Sequence, residues 1–241
     1  MQKLIHAGFV LNLKSCEVIA MIEIKKGREP EKLLWYRQRE GASFEQMDKD
    51  VKDDLLERLL AEQGHICAYC MRRIPERRTL PSGVAPVTIE HWYPRNPKSK
   101  EDIGQGLNYR NMFAVCSGNR GCGDKGGLTC DASRGNEPIT VNPCDAETLR
   151  GITYTSSGRI QSSDPAIDED INKRLNLNNE RISLPETRKQ VLHTLIEDVR
   201  RNCGKGDISL YCRRKLENIQ AVGDKKIPYV GIIIWWLEKH I

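Results

Sequence analysis

The sequence predicts a mixed α+β fold, a small cysteine-pinned centre with a helical lead-in and a mostly helical C-terminal part. Three observations predict it. Val51, Leu55, Leu56, Leu59 and Leu60 form a helical stripe that stops at Gly64. Residues 66–136 hold only short apolar pieces separated by Gly, Pro and Arg, and five of the nine cysteines fall there. Beyond them, Leu192, Ile196, Val199 and Cys203 return to helical spacing. The expected organisation is a lead-in over 1–64, a centre over 65–145, and a hairpin plus helical region over 146–241.

In order along the chain, residues 1–20 carry no motif and read as an upstream extension, with Met21 as the start. The alternative is an N-terminal strand, since GFVLNL and EVIAMIEI both look extended. Ser43 and Gln46 make a capping pattern, which places a helix at about 44–63 leading directly into Cys67. Thr88 to Trp92 and Met112 to Val115 read as strands. Ser117 to Thr129 holds five glycines in 13 residues and reads as an irregular loop. Ile152 to Thr155 and Arg159 to Gln161, joined through Ser-Ser-Gly, read as a hairpin. Ser183 and Glu186 repeat the capping pattern ahead of a long helix, and another helix is expected from Asp207 to about Gln220. Pro228 to Ile241 is apolar enough to be buried, either in the core or against a partner.

Composition excludes several classes. A 241-residue chain with 39% hydrophobic residues can bury a core, while 29% charged residues and a mean hydropathy of −0.56 are expected of a water-soluble protein. Its longest apolar run, Val230 to Leu237, is far short of the ~20 residues that span a bilayer, so no membrane role is expected. Asn12 and Lys14 interrupt the first apolar stretch, and no convincing cleavage site follows, which argues against a secretory signal. With neither a bilayer span nor a secretory signal in view, the chain is expected to be cytoplasmic.

The cysteine count is odd and the spacing uneven, unlike a disulfide scaffold. Cys67-x-x-Cys70 is the spacing at which two thiolates on one turn occupy adjacent corners of a tetrahedron. A redox reading would want a βαβ context, which is absent from the pattern. Cys116 and Cys130 are the favoured second pair because each sits at the edge of a regular element, with Cys122, inside the Gly-rich loop, as the substitute. The expectation is one structural Zn2+ held by four cysteines. Cys16, Cys144, Cys203 and Cys212 read as core or incidental thiols. His6, His65, His193 and His240 lack partners at ligand spacing, and Trp235-Trp236 reads as core or interface.

Charge is concentrated where the cysteines cluster. Residues 67–136 carry 11 Lys/Arg against six acids, and the remainder of the chain carries 27 of each. A solvated basic face is the plain explanation, but its coincidence with a metal motif favours a phosphate-bearing partner. Between the two halves of the cysteine set lies Glu90-His91, with Asn111 just before the MFAVC strand and Asp131 and Arg134 just after Cys130. An acid–His pair, an Asn and an Asp on one small scaffold suit metal-assisted phosphodiester cleavage.

The order CAYC, IEHWYPRN, LNYRNMFAVC and CDASRGN resembles the HNH nuclease family, the ββα-metal or treble-clef group. More narrowly, LLAEQGHICAYC, EHWYP, CDASRGN, TYTSSGRI and RLNLNNERI resemble the HNH subunit of Septu-type and retron-associated phage-defence systems, over roughly residues 21–185. The resemblance implies a small zinc-stabilised ββα-metal core and a nuclease of nucleic acid, DNA or RNA. It also implies a catalytic Mg2+ or Mn2+ and an ABC/SMC-like ATPase partner. On it, His91 matches the general base, and Asn111 matches the Asn that orients that His or buttresses the loop. Asp131 matches a ligand of the divalent ion, with Glu90 sharing it. Arg134 stands where a Lys contacts phosphate, and Arg95, Arg120 and Lys125 are expected to join it on nucleic acid. Residues 227–237 are a candidate ATPase-docking surface. Two features depart from the family pattern: 13 residues separate Cys116 from Cys130, and Asp131 replaces His or Asn. The competing expectation is a zinc-stabilised nucleic-acid-binding module without catalysis.

Overall fold

The computed structural model describes residues 20–76, 83–97, 105–203, 206–221 and 223–241. The N-terminal extension or strand expected over residues 1–20, with His6 and Cys16, lies almost wholly outside the described residues.

The lead-in holds two helices, α1 (Glu31–Tyr36) and α2 (Lys49–Glu62). Val51, Leu55 and Leu59 form the buried face of α2, as the periodicity predicts. The helix starts later than expected. Ser43 Oγ accepts from the Gln46 amide at 3.3 Å, but this bond closes a separate turn, and Tyr36 Oη donates to Ser43 O at 2.9 Å, tying that turn to α1. At the other end Gly64 takes φ 61 and the His65 amide reaches back to Leu60 O, a left-handed stop that only glycine adopts without strain.

Beyond that stop, Cys67 and Cys70 sit on one tight turn. Strands β1 (Val87–His91) and β2 (Met112–Cys116) pair antiparallel, with His91 opposite Met112 and Val87 opposite Cys116. The Gln63 side-chain amide extends this sheet, accepting from Ala114 N at 2.8 Å and donating to Ala114 O at 2.7 Å. The Gly-rich loop follows, irregular as expected, and ends in the short helix α3 (Cys130–Arg134). Gly118 is obligatory there: a Cβ would stand 2.3 Å from Thr129 O.

After a one-turn helix, α4 (Ala146–Leu149), the expected hairpin forms from β3 (Ile152–Tyr154) and β4 (Ile160–Ser162). Asp164 caps α5 (Pro165–Glu169), which continues as a wider π-helical turn to Arg174. Helices α6 (Leu184–Cys203), α7 (Ile208–Ala221) and α8 (Val230–Glu238) complete the fold. Two antiparallel two-stranded sheets and the helices thus give the mixed α+β class.

One hydrophobic cluster runs from Ala20 to Leu237, drawing on all three predicted segments. Helix α8 belongs to it. Val230, Ile232, Ile233, Trp235 and Leu237 are buried, and Trp235 meets Tyr154 edge-on at 6.0 Å. Of the two alternatives for 228–241, core burial is the one observed, and the docking surface guessed at 227–237 is mostly interior. Ile227, 42% exposed, is the exception. No helix among the described residues is long and apolar enough to cross a membrane.

Candidate metal centre and the adjoining carboxylate pair

Cys67, Cys70, Cys116 and Cys130 converge, with all four sulfurs buried and within 4.8 Å of one another. Cys70 and Cys116 Sγ are 3.7 Å apart, and Cys130 Sγ lies 3.8 Å from both Cys67 and Cys116. Four sulfurs at about 2.3 Å from one ion define a tetrahedron with edges of about 3.8 Å. The spacing and the donor type therefore fit Zn2+. Cys122 is exposed and outside the group, so the substitution left open by the sequence is not used. Burial pushes the Cys70 thiol up, yet hydrogen bonds from Cys116, Cys130 and Cys67 outweigh it and hold Cys70 well below the usual thiol range. Arg72 stands close enough to favour the thiolate as well.

One layer away lie the predicted polar residues. Glu90, at the end of β1, is 5% exposed. One of its oxygens meets Arg134 Nη1 at 2.8 Å and accepts from Tyr69 Oη at 3.3 Å. Burial pushes the Glu90 carboxyl well up, Arg134 pulls it down, and the neighbouring Asp131 pushes it up again. Asp131, in the first turn of α3, also accepts from Arg120 Nη2 at 2.5 Å.

The next residue on β1, His91, turns its ring to other contacts, as strand alternation requires, although Arg134 and Asp131 still act on it. Its Nε2 lies 3.0 Å from Gly106 O, and Phe44 meets the ring edge-on at 4.6 Å. Because a carbonyl can only accept, Nε2 carries the proton and Nδ1 is left with its lone pair in the neutral ring. Burial lowers the His91 pKa, favouring that neutral form.

Asn111 bonds main-chain groups on both sides of the β1–β2 connection. Its amide accepts from Tyr93 N at 2.7 Å and donates to Tyr93 O at 3.0 Å and Gln105 O at 3.2 Å. It braces the two described ends of the β1–β2 connection, lying near His91 through Gln105, the neighbour of Gly106, and through its own main-chain O, which accepts from Trp92 N at 2.9 Å.

No protein-family model matches the chain, and no curated protein matches it.

Arg134 requires a correction. The sequence places it on phosphate, but it is 3% exposed. Beyond Glu90, its guanidinium donates to His91 O at 2.8 Å, Trp92 O at 3.1 Å and Tyr69 Oη at 3.4 Å. A guanidinium so enclosed has no face for a phosphate. The other expected cations are nearer solvent. Lys125 is exposed, Arg120 is partly exposed beside Asp131, and Arg95 is paired with Glu45 and lies 4.6 Å from the centre of the Phe44 ring.

Sequence reasoning missed Tyr69, Phe44 and Gly106. Tyr69 carried a signal, lying between Cys67 and Cys70 of the candidate metal group, whose turn it shares. Phe44 and Gly106 carried none, since each reaches His91 from a distant loop.

Proposed function

We propose that this chain is a metal-dependent endonuclease of the HNH type that hydrolyses phosphodiester bonds of nucleic acid. The observation that carries the reading is the surroundings of His91. Burial favours its neutral form, its Nε2 lies 3.0 Å from a main-chain carbonyl, and it sits on the strand that also bears Glu90, which stands beside Asp131. In this reading His91 Nδ1 takes a proton from the attacking water, and Gly106 O and Phe44 fix the ring. Glu90 and Asp131 would hold a divalent cation such as Mg2+ or Mn2+, which when bound supplies a Lewis acid for the phosphate oxygens. Two adjacent carboxylates are the hard oxygen donors such an ion takes. Among the described residues, however, only the cysteines form a group of three or more candidate ligands. Arg120, Lys125 and Arg95 contact phosphate, and Arg134 holds the end of β1 in place.

The resemblance to the phage-defence subunits extends the proposal to a defence effector acting with an ABC/SMC-like ATPase. One observation favours the second reading, a non-catalytic nucleic-acid-binding module. His91 is only 4% exposed, and Glu90 is already paired with Arg134. Cleavage of labelled duplex DNA, single-stranded DNA and structured RNA with Mg2+ or Mn2+ separates the two. It is run on wild type and His91→Ala, with and without the ATPase. The nuclease reading expects cleavage that His91→Ala abolishes while binding persists. Zinc-loaded protein that binds nucleic acid but never cleaves supports the binding module.

A further inference from the structure

Two stretches singled out in the sequence, the TYTSSGRI hairpin and RLNLNNERI, have no part in the site described above. They are joined to it through a continuous set of hydrogen bonds. Of the four cysteines, Cys67 and Cys70 are fixed by one tight turn and Cys116 by β2. Cys130 is different, because it follows a 13-residue loop containing five glycines. Such a loop loses much conformational freedom on ordering. It closes on itself through Thr129 N to Gly118 O at 3.1 Å and turns internally at Asp124 to Leu128, but these bonds do not join its outer part to the rest of the fold.

The segment 175–181 adds ties from outside the loop. Leu175 O accepts from Cys130 N at 2.8 Å. Asn176 Nδ2 donates to Leu128 O at 2.9 Å, and Asn179 Nδ2 donates to Gly126 O at 2.8 Å. Arg181 reaches both Asp124 oxygens, at 3.0 and 3.1 Å. Asn176 has φ 49, a left-handed conformation that asparagine tolerates better than most residues. The segment is itself braced from behind. Arg188, 1% exposed, donates to Leu177 O and Asn178 Oδ1, each at 2.9 Å, and to Gly158 O at 2.6 Å in the hairpin turn. Asn178 bonds both main-chain groups of Ile160 on β4.

We propose that Asn176 and Asn179 are positioning residues that lock the glycine-rich loop so that Cys130, and Asp131 behind it, stand in register with the other three cysteines. The inference rests on the cysteine group being a zinc site and is independent of nuclease activity.

The test is chelator-driven zinc release from the full-length protein, measured for wild type, Asn176→Gly, Asn179→Asp and Asn179→Ala. Asn176→Gly keeps the left-handed backbone and removes the amide, while Asn179→Asp keeps the shape and removes the donor. Leu195→Ala, a core change on α6 away from the loop, reports general softening. The expected result is release faster by roughly 10-fold in the Asn variants, with helical content unchanged by circular dichroism and wild-type release for Leu195→Ala. Wild-type release from folded Asn variants, or equal acceleration by Leu195→Ala, overturns the proposal. If Asn179→Ala does not fold, the two milder variants decide. A wild type that binds neither Zn2+ nor Co2+ overturns the zinc reading and this inference together.

Discussion

Arg134 and Glu90, 44 residues apart in the chain, meet at 2.8 Å with their side chains only 1% and 6% exposed. The pair joins α3 to the end of β1, next to the four-cysteine group. Removing Arg134 strips Glu90 of its buried partner and takes away the donors on His91 O and Trp92 O, so Arg134→Met is expected to destabilise by about 3–5 kcal/mol. Glu90→Gln combined with Arg134→Met should lose less than the sum of the single changes. Urea unfolding of the four proteins checks both. An Arg134 variant of unchanged stability that only flattens the salt dependence of nucleic-acid binding would restore the phosphate role.

The four-cysteine centre predicts one Zn2+ per chain. Cys116→Ser and Cys130→Ser should lose it and melt at lower temperature, because metal binding to a folded site adds directly to folding free energy. Cys122→Ser should keep both metal and melting temperature, since that thiol is exposed and outside the group. Metal content and thermal melts distinguish these outcomes.

Asn111 ties Tyr93 to Gln105, beside the carbonyl that accepts from His91. If the chain is a nuclease, Asn111→Ala should reduce kcat by roughly 100-fold with little change in KM, as expected when a base is slightly misplaced. Steady-state kinetics separates this from a loss of binding, which would raise KM instead.

Lys26 is buried against Met112 O, at 2.5 Å, with Glu62 3.7 Å away. Burial pushes its pKa down from 10.5 to about 8, against the pull of Glu62. The unfolded chain therefore binds more protons between pH 8 and 10.5, and over that interval this lysine's contribution to stability rises with pH. Wild type should gain about 3 kcal/mol on Lys26→Met across the interval, with a constant difference below it. Denaturation of both proteins from pH 6 to 10.5 gives the curve, and a difference that does not change above pH 8 refutes the shift.

Helix α8 crosses the N-terminal segment at Gly231, where a Cβ would stand 2.2 Å from Ala20 O and 2.9 Å from Tyr154 Oη. Gly231→Ala should cost about 1–3 kcal/mol through overpacking. A midpoint of denaturation equal to that of wild type would mean that α8 is not seated in the core.

Local signals were legible in the sequence. The stripe of α2, the hairpin at 152–162 and the long helix before Cys203 rest on periodicity and turn chemistry, which short stretches carry by themselves. Cys116 and Cys130 could be chosen over Cys122 because they flank regular elements, and a tetrahedral site tolerates few placements. The capping pattern at Ser43 was real but local: its bond formed, and α1 drew the turn away from the helix.

By itself, then, the sequence determined the helix leading to Cys67, the strands of both pairs, the long C-terminal helices and the favoured four cysteines, but not the short helices α1, α3, α4 and α5. Only the tertiary structure decided that Arg134 turns inward to Glu90, that Phe44 closes over His91, that α8 fills the core, and that residues 175–181 bind the glycine-rich loop. Each of these joins segments distant in sequence. Long-range contacts depend on how packed elements divide the available space and satisfy buried polar groups, and no spacing along the chain records that division.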